Sequence, residues 1–98
     1  MIRVVYEWQV EAAGIAAFRE AWQQVTARIH ETVPGARGSL LIQQVDDPGR
    51  ILTVARWDSL EDWQAFWQAE NPPQMVRLRE LGQRLSATAY DEYADFTV

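Results

Sequence analysis

Cysteine is absent from this 98-residue chain, which removes disulfides, thiolate metal sites and cysteine nucleophiles together and leaves the redox compartment open. Histidine is nearly absent as well: His30 stands alone. With no HxxH or HExxH spacing, the sequence offers no protein-built metal centre, and no metal ligand is assigned. Positive charge is scarce. The formal net charge is -5 and the isoelectric point about 4.7, so a phosphate backbone or an anionic membrane meets a repelling surface, and neither nucleic acid nor membrane is expected as a partner. No apolar run approaches the ~20 residues of a spanning helix, and the first residues lack the apolar core of a signal peptide. The expectation is one cytoplasmic domain, residues 1–98, long enough for a single core.

What is present is an alternation that changes period along the chain. Ile2, Val4, Tyr6, Trp8 and Val10 share one face of a first strand, with Arg3, Val5, Glu7 and Gln9 on the other. From about Gly14, Ile15, Phe18, Trp22, Val25 and Ile29 step by three and four, the stripe of an amphipathic helix that Pro34-Gly35 ends. His30 falls beside Ile29 and reads as an end-of-helix residue. Gly38 to Val45 reads as a second strand, and Asp46-Asp47-Pro48-Gly49 supplies the turn of a hairpin into a third.

The third strand leads to the densest aromatic stretch. Ile51, Thr53, Ala55 and Trp57 point one way, and Leu52, Val54 and Arg56 the other. Ser59 reads as an N-cap with Asp62 three residues on, and Leu60, Trp63, Phe66 and Trp67 follow at helical spacing. Asn71-Pro72 opens a further helix with the stripe Met75, Leu78, Leu81 and Leu85. Tyr90 to Val98 reads as the fourth strand. The element order is β-α-β-β-α-β, an α+β ferredoxin-like plan with a four-stranded antiparallel sheet and helices on one face. Its bare face carries Val5, Leu52 and Val54, too apolar to stay wet, which predicts a homodimer through that sheet face, extended by Phe96 and Val98.

The runs VPGARGSLL and DDPGRILTVARWDSLEDWQAFW resemble the antibiotic biosynthesis monooxygenase family, small dimeric α+β barrels, over nearly the whole chain. The resemblance rests on a helix ending in PG, a D-P hairpin, a strand ending in W-x-S and an aromatic-bearing helix. In quinone-forming members a cofactor-free oxygenation is attributed to an Asn and a Trp on the third strand, an aromatic on the next helix and an Arg beyond. Here Trp57 matches the Trp, Thr53 stands where the Asn would be, Trp63 where a Tyr would be, and the Arg falls at Arg77 or Arg79. Trp63 cannot supply a phenolic proton. The haem-degrading branch uses a His after the Trp, and none occurs from Asn71 to Leu85, while Tyr6 occupies the place of that branch's strand-one polar residue; a tyrosine can ligate iron, which keeps a haem-degrading oxygenase as a third, weaker reading.

Two accounts of the aromatics follow. In one, Tyr6, Trp8, Trp22, Trp63 and Trp67 line a cavity with Thr53 and Trp57 that holds a flat aromatic or quinonoid substrate. There Trp57, Thr53, Arg77 and Arg79 act in a monooxygenation that needs no cofactor. In the other, the same rings fill the core of a small domain, as in a non-catalytic binding or regulatory dimer. A cavity bounded by Thr53 and Trp57 distinguishes them.

Overall fold

The computed structural model describes residues 1–68 and 73–97. Its elements are β1 (Ile2–Gln9), α1 (Ile15–Thr32), β2 (Ala36–Gln43), β3 (Arg50–Trp57), α2 (Leu60–Gln68), α3 (Pro73–Leu81) and β4 (Gln83–Asp91), with a short 3-10 turn at Ala12–Gly14 before α1. The strands form one antiparallel sheet in the order β2-β3-β1-β4. This is the ferredoxin-like α+β plan.

Alternation in β1 becomes burial directly. Ile2, Val4, Tyr6, Trp8 and Val10 are buried, and so are Ile51, Thr53 and Trp57 on β3, because these positions share the face that the helices cover. Phe18 and Ala21 of α1, Phe66 of α2, and Met75 and Leu78 of α3 close the core from above. Each large side chain removed from water there contributes about 1.5–3 kcal/mol. Phe18 meets Trp8 edge-on, with ring centres 5.2 Å apart.

The Pro34-Gly35 turn binds two distant junctions together. Gly35 has φ 84, and a Cβ there would collide with the Asp62 carboxylate. Its carbonyl accepts the Asp58 N–H at 2.9 Å, so the end of α1 is fastened to the link between β3 and α2. Ser59 caps α2 as expected, its Oγ accepting the Asp62 N–H at 3.1 Å.

Two boundaries differ from the sequence expectation. β2 begins at Ala36 rather than Gly38, because Gly38 lies inside the strand at an irregularity: Ala36 pairs with Trp57 and Ser39 with Ala55. Arg37 and Gly38 thus together face Arg56. Gly38 takes φ 103, the left-handed angle a bulge requires. The fourth strand is Gln83–Asp91, not Tyr90 to Val98. The Gly82 N–H bonds the Leu78 carbonyl at 2.9 Å and ends α3, so Leu85 belongs to the sheet and not to the helix stripe. Residues 92–97 follow without strand structure. Asn71, Pro72 and Val98, read as a helix start and a strand end, lie outside the described residues.

The sheet's outer face carries Val5, Leu52 and Val54, with exposed Leu40 and Ile42 beside them. Ion pairs rim it. Arg3 and Arg56 both bond Glu92, and Arg50 bonds Glu7.

Candidate functional site

Between α1 and the β2–β3 half of the sheet lies a partly open cavity of about 50 Å³. Trp22, Val25, Thr26, Ile29 and His30 form its wall on α1, Thr53, Ala55 and Trp57 its floor on β3, and Ala36, Gly38 and Ser39 its side on β2. Tyr6, Arg56, Phe66, Met75 and Leu78 close the remainder. The α1 set follows from one helix face, since positions 22, 25, 26, 29 and 30 are spaced by three and four.

Two hydroxyls of this lining, Thr53 and Tyr6, each accept an indole N–H. Thr53 is a buried polar residue in an apolar core. Its Oγ1 accepts the Trp8 indole N–H at 3.1 Å, which leaves the hydroxyl hydrogen free to donate. Across the β1–β3 register Thr53 stands opposite Tyr6, whose hydroxyl oxygen accepts the Trp63 N–H at 3.0 Å. Trp57 is 2% exposed, and its indole N–H is buried with no partner among the described residues. An unpaired buried donor costs about 1–3 kcal/mol. Burial pushes the Tyr6 phenol up to about 12, opposed by the Trp63 hydrogen bond and the Arg84 charge, so at neutral pH this hydroxyl is protonated.

The expected site residues separate into four groups. Thr53, Trp57, Tyr6 and Trp22 meet at the cavity. Trp8 is fully buried beneath it and reaches it only through Thr53. Trp63 and Trp67 lie on the far side of Tyr6. They stack on each other with centres 5.5 Å apart, and Trp67 stacks on the Tyr6 ring at the same spacing. The α2 residue that enters the cavity is Phe66, packed 5.3 Å from Trp57. Arg77 and Arg79 are exposed and do not line the cavity: Met75 and Leu78 point inward from α3, which turns positions 77 and 79 outward.

Two residues escaped the sequence argument. Arg84 sits on β4 opposite Trp8, next to a register shift at Glu7 and Trp8, and its guanidinium lies 4.6 Å from the centre of the Trp67 ring. Burial and the nearby Arg79 charge hold Arg84 below the usual arginine value, while Tyr6 opposes them. No carboxylate pairs with it among the described residues. His30, read from the sequence as an end-of-helix residue, is the other: it lines the cavity, and its eight-residue spacing from Trp22 on α1 is the signal that could have placed it there.

A second, shallower space of about 190 Å³ lies on the outer face, between Arg3, Arg37, Arg56, Leu40 and Val54. Its three arginines already face carboxylates. Arg37 holds Asp58 through two bonds of 2.7 and 2.8 Å, and Glu92 joins Arg3 to Arg56. Gly38, Ser39 and Arg56 border both spaces.

A four-stranded antiparallel sheet, helices on one face and a partly open aromatic cavity define a small ferredoxin-like α+β domain. The family model for antibiotic biosynthesis monooxygenase matches residues 1–77, and the chain belongs to that family. Among solved structures it is similar to SnoaB, a cofactor-independent oxygenase from Streptomyces nogalater, at 16% identity and TM-score 0.79 over 99% of this chain and 97% of that one. It is also similar to the heme-degrader MhuD from Mycobacterium tuberculosis, which holds two hemes in its active site, at 18% identity and TM-score 0.79 over 97% and 98%. At such identities the likeness is one of fold. No curated protein sequence matches the chain. Among the described residues no helix is long and apolar enough to cross a membrane.

Proposed function

We propose that the chain is a cofactor-independent monooxygenase that oxidises a small aromatic or quinonoid substrate with O2 in the cavity bounded by Thr53 and Trp57. The observation that carries this reading is a pair of buried N–H donors on cavity-lining residues, Trp57 Nε1 and Arg56 Nε, with no partner among the described residues. A ligand oxygen accepting from either recovers the cost of leaving it unpaired. Family membership supports the monooxygenase class. With Trp57 and Thr53 as donors, the ligand must present an acceptor, a carbonyl or an enolate oxygen.

The chemistry is then carried by the substrate. Loss of a C–H proton gives a carbanion whose charge rests on the enolate oxygen; that species passes electrons to O2 and forms a C–O bond, and the resulting hydroperoxide breaks its O–O bond with loss of water to leave a new carbonyl. Trp57 and Thr53 stabilise the oxyanion where the charge develops. His30 is the lining side chain able to take the proton. Tyr6 and Trp22 supply aromatic walls, and the electrostatic part expected of Arg77 or Arg79 passes to Arg84, whose charge reaches Tyr6.

Size sets a condition. A volume of about 50 Å³ is roughly a third of the ~150 Å³ that holds a benzene ring in an engineered cavity. A ring-sized substrate therefore requires α1 or the β2 edge to move outward. A haem needs far more room still, so the haem-degrading reading has the least support. A non-catalytic binding protein is the second reading, favoured because no carboxylate base lines the cavity among the described residues. The proposal includes a cytoplasmic homodimer joined through Val5, Leu52 and Val54 on the outer face.

Oxygen uptake by the metal-stripped protein over a panel of hydroquinones and anthrones tests the enzymatic reading. Uptake that falls about 10- to 100-fold in Trp57→Phe is the expected result, in line with loss of one oxyanion donor. Absence of uptake across the panel, with the fold intact, leaves the binding protein instead.

A further inference from the structure

The family resemblance expects a phenol on the helix that follows the third strand, and Trp63 occupies that place. In the fold, the Trp63 indole N–H ends 3.0 Å from the hydroxyl of Tyr6, so a phenol is present after all, supplied by the central strand β1. Because the Tyr6 oxygen accepts from Trp63, its own O–H points elsewhere. Among the described residues it has no acceptor, and Tyr6 lines the cavity. Its surroundings are tightly built: Trp67 stacks on its ring with 29° between the planes, and Arg84 covers Trp67 from outside. The register shift between Glu7 and Trp8 allows this, since it brings Arg84 opposite Trp8, on the helix-covered face of β4.

We infer that Tyr6 donates a hydrogen bond to the oxygen of a ligand in the cavity, and that Trp63, Trp67 and Arg84 are positioning residues for Tyr6 rather than part of the cavity wall. Trp63 fixes the rotation of the hydroxyl. Trp67 fixes the ring, and Arg84 holds Trp67 in place while favouring negative charge on the phenol oxygen. The charged groups acting on Tyr6 are Arg84 from β4 and, through Arg84, Arg79 from α3. The donor role rests on the reading that the cavity binds an acceptor-bearing aromatic; the positioning role does not.

The probes are acetophenone and α-methylstyrene, which has a methylene in place of the carbonyl oxygen. Wild type is expected to bind acetophenone more tightly, and Tyr6→Phe to lose about three- to tenfold of that preference, the worth of one neutral hydrogen bond. Trp63→Phe and Arg84→Gln lose part of it with α-methylstyrene unchanged, and Arg84→Lys restores it. Equal affinities for the two probes in wild type and Tyr6→Phe overturn the donor role. If neither probe binds, the ligand-binding reading falls and takes the donor role with it. The positioning role is read without ligand, by 19F NMR of protein carrying fluorotyrosine, whose more acidic phenol titrates within a range the fold withstands. There Trp63→Phe and Arg84→Gln should each move the Tyr6 midpoint upward, and an unmoved midpoint overturns that half.

Discussion

Trp8 and Trp67 flank the same tyrosine and are held by different forces. Trp8 is 0% exposed, edge-on to Phe18 and bonded to Thr53. Trp67 is half-buried, held between Tyr6, Trp63 and the Arg84 guanidinium. One side of Tyr6 is therefore built by burial with paired polar groups, the other by stacking and a cation. Sequence spacing identifies the apolar face of a helix or strand. It does not say which of two apolar volumes on that face a ring will enter.

By that contrast, Trp8→Ala is the costliest single change, about 3–5 kcal/mol by urea denaturation, whereas Trp67→Ala loses about 1–2 kcal/mol. Equal losses would erase the distinction. Thr53→Val should cost about 1–3 kcal/mol by stranding the Trp8 N–H, and adding Trp8→Phe should return part of it, a coupling that a double-mutant cycle measures.

Tyr6 itself tests the boundary between the two sides. Its phenol titrates at about 12 in the fold against 10.0 as the ordinary value. The folded state thus keeps a proton that the unfolded chain has already lost. The resulting stability, about 3 kcal/mol, is complete below 10.0 and lost as pH rises through about 12. Alkaline denaturation of Tyr6→Phe should lack that step. On the outer face, Val54→Glu should convert the proposed dimer to a monomer in light scattering; a wild type that is already monomeric removes the dimer from the reading. Arg37→Ala breaks only an exposed pair with Asp58 and should leave the urea midpoint unchanged within error.

Much of this arrangement was legible. β1, α1, the hairpin, β3 and the Ser59 cap all carry strong periodicity or turn chemistry, and the cavity position of Thr53 and Trp57 follows from β3 alternation. β4 was not legible, because its helix-covered positions are Ala87 and Ala89, small residues with no β signal, and pairing with β1 decides the strand. That error concealed Arg84, which looked like part of a helix. Trp63, Phe66 and Trp67 share one stripe of α2, yet only Phe66 enters the cavity, since the tilt of a short helix over a sheet is set by packing that periodicity does not encode.

Strand β2 has one sheet neighbour, β3, and at Gly38 a Cβ would meet no atom within 4 Å. The cavity is thus bounded on that side by an edge strand, while β1 is paired on both sides. For anyone redesigning the protein to take larger molecules, volume is best gained along β2 and the Trp22 face of α1. A lineage diversifying its ligands meets the same gradient: the edge can drift while the floor of Thr53 and Trp57 stays in place.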